Sequence, residues 1–95
     1  MKQPVIVNKD FILYLENDNG FNFIHCDILT KWSKEVKKQL TEQFNNLTSF
    51  LQQPLYALHT RTDKKHEKFL KLYGFTYYTS MLGQDKNEYD IYIWR

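Results

Sequence analysis

The sequence predicts an α+β domain in which a mainly antiparallel sheet carries one long and one short helix. Three observations lead there. Asn17-Asp18-Asn19-Gly20 stands between two apolar runs, Phe11 to Glu16 and Phe21 to Cys26, and Asn and Gly tolerate the positive φ that a tight hairpin turn requires. From about Lys31 to Leu51 the apolar residues fall three or four apart, the period of a helix buried on one side. Asp63 to Phe75 carries the start and stop signals of a second, shorter helix that hands the chain directly to a strand.

The elements follow in order. Met1 to Pro4 reads as a loose terminus and Val5-Ile6-Val7 as a short edge strand, closed by the turn Asn8-Lys9-Asp10. Phe11 to Glu16 is apolar nearly throughout, as expected of a strand covered on both faces. In the next strand Phe21, Phe23 and His25 oppose Asn22, Ile24 and Cys26. The long helix buries Trp32, Val36, Leu40, Phe44, Leu47, Phe50 and Leu51 and sets Lys34, Lys37, Lys38, Gln39 and Glu42 on the other side. Thr30 is its expected N-cap, and Pro54 forces Gln53 out of helical geometry.

Leu55 to His59 is a short buried strand, and Thr60-Arg61-Thr62 leads into the second helix. There Asp63 can accept first-turn amides, while His66, Phe69, Leu70 and Tyr73 share one stripe. Lys68 and Lys71 suit the negative end of that helix, and Gly74 can take the left-handed conformation that closes it. Thr76 to Leu82 then pairs with Glu88 to Trp94 across Gly83-Gln84-Asp85-Lys86-Asn87. In the final strand Tyr89, Ile91 and Ile93 alternate with Asp90, Tyr92 and Trp94; the first set is expected in the core and the second on a polar-aromatic surface.

Composition bounds the function. With 95 residues the chain is read as one domain, 1–95, burying only about two-thirds of its unfolded surface. Its two Trp, seven Tyr and seven Phe exceed what so small an interior holds, so several are expected outside, where aromatic patches mark contact sites. A net charge of +2 from intermixed residues leaves no strong polyanion footprint. The single cysteine, the lack of a signal-peptide pattern and the lack of a long apolar run suggest a reducing, soluble compartment.

The segment Asp63 to Phe75 resembles the C-terminal part of GCN5-related N-acetyltransferase (GNAT) folds, where a short helix runs into a Gly-Phe pair and a final hairpin. His66-x-x-Phe69-Leu70-Lys71-x-x-Gly74 is similar to small GNAT-like proteins of short-tailed bacteriophages, some of them internal virion proteins. The resemblance implies a truncated GNAT-like fold of order β-β-β-α-β-α-β-β. Its sheet would be mixed and twisted, with the strands around Phe21 to Cys26 and Leu55 to His59 side by side, joined by the long helix as a right-handed crossover. In the enzymes those two strands splay around acetyl-coenzyme A. The opening strand and two helices of the family, which help form the acceptor site, have no counterpart here.

Residue by residue, the resemblance argues against catalysis. GNAT enzymes grip the coenzyme pyrophosphate with amides of a Gly-rich loop before the long helix. The corresponding run here is Asp27-Ile28-Leu29-Thr30-Lys31-Trp32-Ser33, without a glycine, and Asp27 and Trp32 repel or crowd a phosphate. The tyrosine that many members place four residues before the Gly, as acid for the departing thiolate, is Leu70 here. Asp63 replaces a usual asparagine and His66 a small residue, while Tyr73 lies about a sixth of a turn off the required face. The implied function is therefore a non-catalytic protein acting by contact in virion assembly or as a virion component, in the virion or host cytoplasm. Its partner surface would be Asp90, Tyr92 and Trp94, and open sheet edges could pair two copies.

The alternative is an acetyl-CoA-dependent N-acetyltransferase, in which Ile28, Leu29, Thr30, Lys31, Trp32, Ser33, Asp63, His66 and Leu70 would line the cofactor. A third reading is nucleic-acid binding through Lys31, Lys34, Lys37 and Lys38 with Tyr77, Tyr92 and Trp94, although Glu35 and Glu42 interrupt the basic row. No metal is expected: His25, Cys26 and Asp27 are neighbours on a strand and point to alternate faces, even with His59 and His66 elsewhere. Cys26 reads as a small core residue.

Overall fold

A computed structural model describes residues 1–95. It is α+β, with six strands and two helices in the expected order: β1 Gln3–Val7, β2 Phe11–Asp18, β3 Phe21–Ile28, α1 Lys34–Leu51, β4 Leu55–His59, α2 Lys64–Leu72, β5 Thr76–Leu82 and β6 Glu88–Trp94. Two compact units divide the chain, Met1–Gln53 and Pro54–Arg95. No helix is long and apolar enough to cross a membrane.

In the first unit β2 lies between β1 and β3, antiparallel to both. The expected tight β2–β3 turn is present, but it takes only two residues, Asn19 at φ 53° and Gly20 at φ 89°, so β2 runs on to Asp18 and not only to Glu16. The Asn17 carboxamide accepts the Gly20 amide. The start of the chain is not loose. β1 begins at Gln3, and its ladder shifts between Pro4 and Ile6, where proline, lacking an N–H, is tolerated at an irregular edge. Register places Cys26 opposite Leu13 and His25 opposite Tyr14, on opposite faces. Phe11 and Leu13 are fully buried on the cysteine side, whereas the His25 ring reaches Glu16, Nε2 to Oε1 3.2 Å.

Helix α1 starts three residues later than the hydrophobic period suggests. Its N-cap is Ser33, whose hydroxyl accepts the Val36 amide at 3.2 Å. Thr30 is occupied otherwise: its hydroxyl donates to Asp10, and the Leu29 amide bonds the Asp10 carbonyl at 2.8 Å, tying the pre-helix loop to the β1–β2 turn. Trp32 therefore precedes the helix and is 41% exposed. At the other end Gln52 turns left-handed at φ 52°, so the helix stops before Pro54 acts. Val36, Leu40, Phe44, Leu47 and Thr48 are buried. Phe50, expected inside, is 85% exposed, because it lies about 100° from the centre of that buried arc and Thr48 takes the inward place.

In the second unit β6 runs between β4 and β5, antiparallel to both, and α2 lies against β4. Asp63 caps α2, accepting the His66 amide at 3.0 Å. The other end closes with two bonds, Gly74 amide to Lys71 carbonyl at 3.1 Å and Phe75 amide to Leu70 carbonyl at 3.0 Å. Gly74 is at φ +86°, the left-handed residue this closure needs. Leu70 and Phe75 are both buried. The chain is thus turned directly into β5.

Candidate functional site

The final hairpin and β4 share a polar cluster at one end of their sheet. Register pairs His59 with Asp90 and Ala57 with Tyr92 between β4 and β6, and Tyr77 with Tyr92 and Ser80 with Asp90 between β5 and β6. Directly opposed residues point to the same side, so His59, Asp90, Ser80, Tyr92 and Tyr77 occupy one face. Tyr77 and Ser80 share that face despite their odd spacing because the ladder shifts between Tyr77 and Thr79.

Asp90 is the hub, 6% exposed. It accepts Arg61 Nε at 3.0 and 3.3 Å, Arg61 Nη2 at 2.9 Å and the Ser80 hydroxyl at 2.9 Å. The same guanidinium reaches Glu88 at 3.1 Å and Ser80 at 3.0 Å, and the Tyr77 hydroxyl lies 2.7 Å from Ser80 Oγ. Arg61 holds the Asp90 carboxyl below the usual carboxylate range, against a smaller upward push from desolvation and with help from Ser80. The Ser80 hydroxyl donates to Asp90 and accepts from Arg61, and because Arg61 keeps that carboxyl ionised and weakly basic, Asp90 is a poor base for activating the hydroxyl as a nucleophile. The network neutralises a buried charge; it offers no vacant acid or base.

Beside it lies a histidine pair. His59, at the end of β4, is 1% exposed, and its Nδ1 is 2.9 Å from Nδ1 of His66 in the first turn of α2. The His59 ring also meets Tyr92 edge-on, centroids 5.2 Å apart. Burial, followed by the charge of His59, lowers the pKa of His66, while Asp63 pulls it the other way.

These placements correct one surface expectation. Asp90 and Tyr92 are each 6% exposed, and Trp94 is half-buried beside Gly74, whose position lies 3.4 Å from Trp94 Cδ1 when a Cβ is built on it. Over β4 and β6 that face is closed, with His66 of α2 against His59, while Tyr77 at its β5 edge stays 57% exposed. Alternation in β6 identified two faces but could not say which was inside, and Arg61 makes a charged residue acceptable there. Ile93 on the other face is buried too, because β6 is the middle strand.

The nine residues that would line a cofactor fall on both units. In the first, Ile28 and Leu29 are exposed at 36% and 53%, Thr30 and the Leu29 amide are tied to Asp10, Lys31 and Trp32 are exposed, and Ser33 caps its own helix. In the second, Asp63 caps the turn that carries His66, which pairs with His59, and Leu70 is 3% exposed in the core. Arg61, Ser80 and His59 were not singled out from the sequence as a group. The available signal was Asp90, a lone carboxylate inside an apolar strand, which demands a counter-charge. No three or more His, Cys, Asp or Glu residues are arranged to hold a metal ion. No family model, curated protein or solved structure matches the chain.

Proposed function

We propose that the chain is a non-catalytic domain of GNAT-like ancestry that works by protein contact, in assembly of a phage particle or as one of its components. The observation that carries the contact reading is β5. Its seven residues include no charge, and Tyr77, Tyr78, Met81 and Leu82 are exposed at 57%, 48%, 43% and 67%. The strand pairs with β6 on one side only. Natural sheets usually blunt such an edge with lysine, proline or a bulge, as β1 does with Pro4 and its neighbouring Lys2. β5 has only the irregularity between Tyr77 and Thr79, which leaves Thr79–Leu82 regular and open to another strand. A second copy of this chain or a strand of a particle protein fits that edge.

The absence of catalysis is supported by what the candidate groups already do. Ser33 and Asp63 cap their own helices, Thr30 holds the loop, and Leu70 fills core where the family's tyrosine would act. The phage setting rests on the resemblance of the His66 to Gly74 pattern. Calorimetric titration with acetyl-coenzyme A should give no heat, and micromolar binding would overturn the non-catalytic reading. Sedimentation over micromolar to millimolar concentrations should show association that Thr79→Lys weakens. A chain that stays monomeric and retains no particle protein would remove the basis of the contact reading.

A further inference from the structure

We infer that His59 and His66 form a proton-operated latch, which fastens the start of α2 to β4 and opens when a second proton enters the pair. The two Nδ1 atoms are 2.9 Å apart and the ring centroids 5.1 Å apart, so the rings meet nearly head-on. One hydrogen fits in that gap. In the neutral pair one ring donates through Nδ1–H and the other accepts on a bare Nδ1. A first added proton can settle on an outer nitrogen of the donor ring and leave the gap unchanged. The second must go to the accepting Nδ1, setting two N–H groups and two positive charges against each other. In acid, where two free histidines would each carry an added proton, the closed gap has room for only one of the two.

The surrounding charges do not relieve the gap. Asp90 on β6 stands opposite His59, with its charge shared by Arg61 of the β4–α2 connection; the Tyr92 ring, next to Tyr77 on β5, closes the same side. On α2, Asp63 lies at the amide of His66, and Glu67 is engaged by Lys64 and Lys71. Burial adds to the resistance, lowering the pKa of His66. The C-terminal end of α2 is fastened separately by buried Leu70 and Phe75 and by the Gly74 closure. Opening is therefore expected at the first turn of α2 and the connection before it, while β6 stays folded.

Amide hydrogen exchange of the intact chain tests this, followed by NMR between pH 7.5 and 4.5 and corrected for intrinsic exchange. A one-proton difference gives about a tenfold loss of protection in the first half of α2 per pH unit below about 6.5, with the middle of β6 changing less. His66→Gln can still bond across the gap but does not titrate, and it should abolish that slope. Equal protection across the range, or the same slope in His66→Gln, overturns the latch. Imidazole nitrogen spectra give an independent reading: the pair should take up one proton, not two, before α2 opens, and two complete titrations in a closed helix also overturn it.

Discussion

Replacing Gly74 by alanine should destabilise the chain by about 1 kcal/mol, and the reason is backbone conformation, not crowding. The residue sits at φ +86°, and a Cβ there would lie 3.4 Å from Trp94 Cδ1 and 3.6 Å from Trp94 Nε1, ordinary contact distances. The left-handed conformation costs an L-residue about 1–2 kcal/mol. The smaller conformational freedom of alanine in the unfolded chain offsets about 0.4–1 kcal/mol of this. With a urea m-value of roughly 1.5 kcal/mol/M for a chain of this size, the midpoint should fall by roughly 0.7 M at unchanged m. Gly74→Asn should lose less, because asparagine tolerates this region. Gly20 supplies the comparison: its φ is +89° with nothing within 4 Å of a built Cβ, so Gly20→Ala should cost a similar amount. A midpoint unmoved by Gly74→Ala would refute the conformational account, and a loss several times that of Gly20→Ala would show that Trp94 is the obstacle.

Other outcomes follow from the same geometry. Asp63→Ala should lower stability by about 1 kcal/mol through loss of the α2 cap, with Asp63→Asn close to wild type, and Ser33→Ala should act similarly on α1, both read by thermal unfolding. Because Arg61 holds the Asp90 carboxyl below its ordinary range, the unfolded chain binds that proton first on acidification. Its stabilising contribution is complete above about pH 4 and is lost as pH falls below, so Asp90→Asn should flatten the acid limb of a stability-against-pH curve. Burial, and then the charge of Asp27, push the Cys26 thiol up to about 12. It should resist alkylation at pH 8 while folded and react in denaturant, and rapid labelling of the native chain would contradict its placement.

Local chemistry made much of this legible. The Asn19-Gly20 turn, the Asp63 cap and the Gly74 stop depend on backbone preferences of a few adjacent residues, and each stands where the sequence put it. The start of α1 was misplaced because Thr30 and Ser33 are both competent caps. What chose Ser33 was the bond from Thr30 to Asp10, twenty residues away, which holds the loop off the helix.

The sequence by itself determined the α+β class, the order of the elements and most of their ends, since periodicity and capping act over a few residues. Tertiary structure alone decided which face of β6 is inside, which of Phe50 and Thr48 is buried, and that His59, His66, Arg61, Ser80 and Asp90 meet. Those outcomes depend on strand register and on where a counter-charge lies. Alternation says that a strand has two sides; only the neighbour across the ladder says which side excludes water.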